Sequence, residues 1–331
     1  MSVTISGPAS TGRTRVALVV ILPVLLAVCM VAALLFGQTG IFPLTETSLG
    51  ILWDFRLPRV LFAAVNGAAL ALSGVLYQIA LRNPLADGFT TGAASSAAFG
   101  GCFALVVVGS GLVVSVAALG SALLGIALVR HVVARAGGHS RITIILAGIG
   151  LSVVAGSGIS FLKYFFEDSV STMVFWLMGG LYAATYGKTV VLFVALVAVC
   201  LYLHSHQRHI ALLFLDDASA QTSGVNVRQL REILFVLTTS LVALSVSFCG
   251  VIGFLGLLVP HATRALLGHS LYAQLAGSTL LGASALVLFD LCSRTVLPYG
   301  GELPVGIITS LVGGLFFFVL LARKGHSVWM R

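Results

Sequence analysis

Acidic residues are scarce in this 331-residue chain, with ten Asp and Glu against 18 Lys and Arg. Charged residues of both signs make up 8% of the sequence and hydrophobic ones 59%, which leaves too little polar surface to cover a soluble globule. No acid falls in the middle of an apolar run: nine lie at loops or run ends, and Asp290 stands one helical turn from Arg294, the spacing of a local ion pair. A proton- or sodium-coupled carrier would need an isolated acid in mid-span. The chain also lacks a G-x-x-x-x-G-K-[ST] phosphate loop, so it does not hydrolyse ATP by that route. With no G-x-S-x-G, no H-E-x-x-H and no paired catalytic carboxylates, nothing indicates an enzyme. The five cysteines are odd in number and scattered along apolar runs, which fits neither a disulfide framework nor a metal cluster. His204, His206 and His209 have no cysteine or carboxylate beside them before Asp216, so they read as a basic cluster at a membrane boundary, and no metal site is expected.

What the chain has instead is apolar runs of spanning length. With mean hydropathy +1.10, it reads as an all-α polytopic membrane protein. Ten spans of about 20 residues are predicted at 16–36, 58–80, 90–109, 111–131, 142–164, 189–205, 232–249, 252–268, 272–294 and 304–322. The first run, Arg15 to Phe36, is too long for a signal-peptide core and lacks a cleavage site, so it is read as an uncleaved span. An even number of spans puts both termini on one side, with short tails at 1–15 and 325–331 around a spanning domain of 16–324. Of the 18 basic residues, 13 then fall on the terminal side, and Arg56, Arg59, Lys163, Lys188 and Arg294 fall opposite. The positive-inside rule makes the terminal side cytoplasmic. This asymmetry accounts for most of the net charge of +8, and no nucleic-acid partner is needed to explain it.

Three features carry more specific information. Helices in lipid associate closely through small residues at i, i+4, and two spans show such stripes: Gly148, Ser152, Gly156 and Ser160 in the fifth, and Gly306, Ser310 and Gly314 in the tenth. Both lie in the last span of each half, as expected of two five-helix repeats, and are compatible with ordinary packing or with the wall of a wet pathway. The turn Arg82 to Gly88 and the stretch Gly250 to His261 are either simple proline and glycine kinks, common in membrane helices, or irregular backbone near membrane depth, which must be buried in protein or line a cavity. Finally, DDASAQTSGVNVRQLRE, residues 216–232, is a long polar passage. Asp216 or Asp217 can cap a short helix, Gly224 can stop it, and Asn226 can start another with Gln229 three positions on. The prediction is two short helices with a one-residue break.

Six passages together resemble the FecCD-type permeases, the membrane subunits of ABC importers for ferric siderophores, heme and cobalamin: FRLPRVLF from Phe55 running on into RNPLADGFTTG, LAGIGLS from Leu146, FWLMGGL from Phe175, SGVNVRQLR from Ser223, GFLGLLVPHATRALLG from Gly253 and ELPVGIITSLVGG from Glu302. They occur in the family's order over roughly 50–324. The resemblance implies a type II importer permease fold, usually a homodimer, with a pathway lined by the fifth and tenth spans. It implies that Asp216, Asp217, Ala218, Ser219, Ala220, Ser223, Gly224, Val225, Asn226 and Arg228 belong to coupling helices seated on a cytoplasmic ATPase subunit, which would use ATP and magnesium while this chain binds no cofactor. Arg56, Arg59 and Arg294 look like the outer arginines that meet acidic residues of a substrate-binding protein, and Asn83 and Leu85 like part of an inner gate. His139 and Ser140 sit in the second gate turn, where His139 departs from the small hydroxyl residues common there. The implied location is the cytoplasmic (inner) membrane.

Overall fold

The computed structural model describes residues 16–37, 45–109, 111–136, 141–297 and 301–323. Among them are thirteen helices and no strand. In chain order these are α1 (Ala17–Leu35), α2 (Glu46–Leu81), α3 (Ala93–Val108), α4 (Leu112–Arg135), α5 (Arg141–Phe165), α6 (Val170–Leu177), α7 (Tyr186–Ser205), α8 (Gln207–Leu215), α9 (Asp217–Thr222), α10 (Val227–Cys249), α11 (Leu255–Leu267), α12 (Leu271–Thr295) and α13 (Val305–Arg323). Seven are long and apolar enough to cross a membrane, and α3, α11 and α13 are shorter apolar helices. Each of the ten predicted spans coincides with one of these. The tails at 1–15 and 325–331 lie outside the described residues.

Span two starts earlier than its proline suggested. Thr45 caps α2 reciprocally with Ser48, whose backbone N–H donates to Thr45 Oγ1 at 3.2 Å while Thr45 N–H donates to Ser48 Oγ at 2.8 Å. The helix passes through one π-type turn at Leu52–Arg56 before Pro58. A proline ring crowds the preceding turn, and the wider turn gives it room.

Helix α2 is the centre of the bundle, with nearly every residue from Val60 to Leu81 buried. It buries Phe62, Leu72, Leu76 and Tyr77 completely, and between these bulky side chains it needs small residues wherever a neighbouring backbone comes close. It presents Gly67 to Gly282 of α12 and Gly74 to Gly256 of α11, so closely that a Cβ on Gly74 would lie 1.8 Å from Gly256 O. These are the close backbone crossings that small residues permit in lipid. The contact pattern repeats between halves: α2 packs against α11 and α12, and α10 packs against α3 and α4. The second helix of each half thus inserts between the third and fourth helices of the other.

Helices α5 and α13 lie at the margin. Along α5 only Gly148, Ala155 and Leu162 are buried, and they form the seam that holds it. A similar seam on α13 runs through Val305, Gly306, Thr309 and Gly313. Both leave large apolar residues exposed, among them Leu146, Val154 and Phe161 on α5 and Leu311, Leu315 and Phe318 on α13.

Candidate functional site

The polar passage folds largely as its local signals dictate, with two differences. Asp216 is extended and caps α9, its Oδ1 accepting from Ser219 N–H at 2.7 Å and its Oδ2 from the Ser219 hydroxyl at 2.6 Å. Gly224 takes φ +80°, and Asn226 Oδ1 accepts from Gln229 N–H at 3.1 Å to start α10. The break is longer than one residue, spanning 223–226, because Ser223 leaves the helical path before Gly224 turns the chain. The second predicted short helix is the first turns of α10, continuous with the span, since nothing between Val227 and Cys249 stops it. A further short helix, α8, lies between the end of span six and Asp216, where no helix was predicted, and buries Ile210 and Leu213.

The residues of the passage divide by exposure. Ala218, Ser223, Gly224, Asn226 and Arg228 are exposed, Ser219 and Val225 are half-buried, and Ala220 is fully buried. Arg228 lies 3.4 Å from Glu232 across one turn. Asp217 turns inward to meet three arginines. Arg231 of α10 reaches its Oδ1 at 2.5 Å, Arg141 at the start of α5 bonds its Oδ2, and Arg82 at the end of α2 approaches at 3.9 Å. Arg82, with φ 45°, also donates to the last carbonyl of α8, Leu215 O.

Both carboxylates ionise more readily than usual. For Asp216 the cause is the Ser219 hydroxyl and then the Ser219 N–H. For Asp217 burial opposes ionisation, but the hydrogen bond and charge of Arg231, followed by those of Arg141, outweigh it. A folded-state pKa below the unfolded value contributes stability above the ordinary carboxylate range and loses it as pH falls through the depressed value. Hydrogen exchange at 217–222, corrected for intrinsic rates, should therefore show constant protection at neutral pH and fraying below roughly pH 4. Asp216→Ala should fray the same residues at pH 7, and full protection in that variant would exclude the cap as the helix's anchor.

Next to this element lies the turn that follows α2. Asn83 Oδ1 accepts from Leu85 N–H at 2.9 Å, and buried Asp87 accepts from the N–H groups of Phe89 and Thr90 at 3.1 and 2.9 Å. Leu85 is left 40% exposed at the tip. His139 and Ser140 lie outside the described residues. The turn docks on α5 through the small-residue stripe: Ser152 donates to Phe89 O at 2.8 Å, and a Cβ on Gly148 would stand 2.5 Å from Thr90 O. The stripe therefore has two parts, because Gly156 has open space around it and Ser160 donates only to Gly156 O of its own helix. On α13, Gly306 is packed against Met178 O, Ser310 is exposed, and Gly314 has nothing within 4 Å of a built Cβ.

At the opposite end of the bundle, the three arginines read as outward-facing are turned inward. Arg59 bonds Asp290 at 2.9 Å and Glu302 at 2.8 Å. Arg294 faces the other Asp290 oxygen at 3.1 Å and donates to Ala33 O at 3.3 Å. Arg56 donates to Leu34 O and Leu35 O at 2.9 and 3.3 Å. Arg56 and Arg294 thus cap the C-terminus of α1, where free carbonyls attract cations. Their relative exposures are 6% and 4%. The local Asp290–Arg294 pair was legible from its spacing; Ala33, Leu34 and Leu35 as acceptors were not, because α1 comes from elsewhere in the chain.

The family model of the FecCD transport family matches residues 14–323 of this sequence. The chain belongs to the FecCD transport family. Among its relatives, a probable iron chelatin transport system permease protein of Helicobacter pylori is 36% identical over 274 residues, covering 82% of either chain. The hemin transport system permease protein of Yersinia pestis is 35% identical over 85% of this chain and 86% of its own. Names of further relatives extend to cobalamin and molybdate. A solved metal-chelate type ABC transporter in an inward-facing conformation superposes with TM-score 0.84 at 32% identity, covering 92% of this chain and 98% of that one.

This FecCD chain is a multi-pass ABC importer permease, and three of its motifs converge in space. In FWLMGGL, GVIGFLG and ELPVG the backbones of 176–180, 249–252 and 306 touch: Gly180 N–H donates to Cys249 O at 2.8 Å, and Cβ atoms on Gly179, Gly250 or Gly306 would each lie 2.0 to 2.2 Å from a carbonyl oxygen. Irregular backbone is here buried in protein and partly self-bonded, as membrane depth requires. Beside it Phe254 adopts φ 64° with its Cβ against Gly313 of α13.

Proposed function

We propose that this FecCD permease carries an iron chelate, a ferric siderophore first of all, from an external substrate-binding protein across the cytoplasmic (inner) membrane, powered by a separate ATPase subunit that uses ATP and magnesium. Its termini and α9 face the cytoplasm in this reading, as the distribution of arginines favours. The observation that carries it is α9 itself, a capped polar helix held at the arginine-rich face beside the Asn83–Leu85 turn. A carrier driven by an ion gradient has no use for such an element. The exposed flanks of α5 and α13 are the surfaces for a second copy, with Ser152, Gly156, Ser160, Ser310 and Gly314 toward the path between them. Arg59 is 13% exposed at its side chain; in this reading it meets the binding protein directly, while Arg56 and Arg294 shape that surface from beneath. Heme and cobalamin are the alternative cargoes, favoured by the names that relatives carry.

ATP-dependent uptake by vesicles holding the permease, an ATPase subunit and a binding protein, offered a ferric siderophore, heme and cobalamin in parallel, tests this. Siderophore uptake that fails when Gly224→Val strains the α9 exit supports cargo and coupling together. Uptake of heme or cobalamin alone replaces the cargo, and uptake indifferent to ATP removes the mechanism.

A further inference from the structure

Asp217 opens α9 yet does not point outward with the exposed Ala218 and Ser223. Its two carboxylate oxygens are shared among guanidinium groups from three helices that the sequence separates widely: Arg82 ends α2, Arg141 begins α5, and Arg231 lies in α10. Each position is mechanically informative. Arg82 is the residue immediately before the Asn83–Asp87 turn, and its second bond, to Leu215 O, ties that turn to α8 as well. Arg141 is the first residue of α5, the helix that meets Phe89 and Thr90, tied to the end of that turn by Asp87, through Ser152 and Gly148. The turn and the helix beside it are therefore joined directly at one end and through Asp217 at the other.

Charge makes this one carboxylate hard to replace. Three guanidinium groups meeting at one point repel each other, and a carboxylate with about four acceptor sites is the group that can draw them together. Asp216, the other nearby acid, has both oxygens bonded to Ser219 in capping α9. Helix α9 has six residues and a single fully buried one, Ala220, so apolar packing alone gives it little hold. Its attachment to the bundle rests on the Asp217 bonds, on buried Ala220 and on its junctions with α8 and α10, the latter including Val225 N–H donating to Ala220 O at 3.0 Å.

We propose that Asp217 is a positioning residue that clamps α9 to the Asn83–Asp87 turn and to the start of α5, so that a displacement of α9 reaches both as one body. This rests on the reading of α9 as the coupling helix, and deepens it: Asp217, grouped by sequence with the ATPase-contacting residues, acts within the permease. The exposed Ala218, Gln221, Thr222 and Ser223 are left to face the partner.

The test uses the full permease with its ATPase in lipid nanodiscs, with exposed Cys200 replaced by serine and spin labels at Ile142→Cys on α5 and Thr222→Cys on α9. In the parent the distance distribution between the labels should be narrow and should keep its width when ATP and vanadate trap the complex. In Asp217→Asn it should widen at least twofold while the ATPase still co-purifies, and Asp217→Glu should restore the narrow form. An unchanged width in Asp217→Asn overturns the clamp. So does loss of the ATPase from an otherwise intact Asp217→Asn permease, which would make Asp217 a partner contact. Failure of the underlying reading looks different: the Thr222 label would stay as mobile in the assembled complex as in the isolated permease, while the width of the parent distribution was unaffected.

Discussion

Gly74→Val should abolish the folded permease. A Cβ at position 74 would stand 1.8 Å from Gly256 O and 2.6 Å from its carbonyl carbon, and neither is the yielding end of a flexible side chain. Relief requires α2 and α11 to separate, yet α2 is also locked against α12 at Gly67 and Gly282, where a Cβ on Gly67 would lie 2.2 Å from Gly282 O. Overpacking of a core ordinarily costs about 1–3 kcal/mol, and a collision between two backbones falls at or beyond the top of that range. Size-exclusion profiles of solubilised protein should show loss of the monodisperse peak for Gly74→Val. Gly156→Val, with open space around it, should keep the peak and its thermal midpoint. A monodisperse Gly74→Val would mean that the two helices do not cross where they are placed here.

Asp290→Ala should have the second largest effect. The carboxylate is 1% exposed and lies between Arg59 and Arg294. Removing it leaves Arg294 buried with a carbonyl partner but no counter-charge, and breaking a buried ion pair from one side typically costs about 3–5 kcal/mol. The loss should spread to α1, whose end Arg294 helps to cap, so thermal unfolding should begin with exchange of α1 amides. Replacing both partners with apolar groups, Asp290→Leu with Arg294→Met, should recover part of the loss, because no uncompensated charge then remains at that pair. Arg59 keeps Glu302 in either case. A midpoint for Asp290→Ala within a degree or two of the parent would show that the network carries no stability. The same variants bear on docking: if Arg56 and Arg294 shape the outer surface from beneath, binding of the external protein should fall in step with the loss of α1 protection.

The sequence by itself determined what depends on neighbours along the chain. The apolar runs set the ten helices, since in lipid a segment must satisfy its own backbone hydrogen bonds. Asp216, Gly224 and Asn226 set where α9 starts and where the chain turns and resumes, because caps and left-handed turns are made within a few residues. The i, i+4 relation of Asp290 and Arg294 was legible for the same reason, and the joint spacing of six motifs identified the family. Only the tertiary structure decided which small residues are contacts and which are open. Gly148 and Gly156 belong to one stripe in sequence, but one meets the Thr90 backbone and the other meets nothing. It also decided that the three arginines near the far face turn inward, because their acceptors lie on α1, on α12 and ahead of α13. The inward turn of Asp217 belongs with these: its partners are spread from Arg82 to Arg231, and a charge finds its counter-charge through space rather than along the chain.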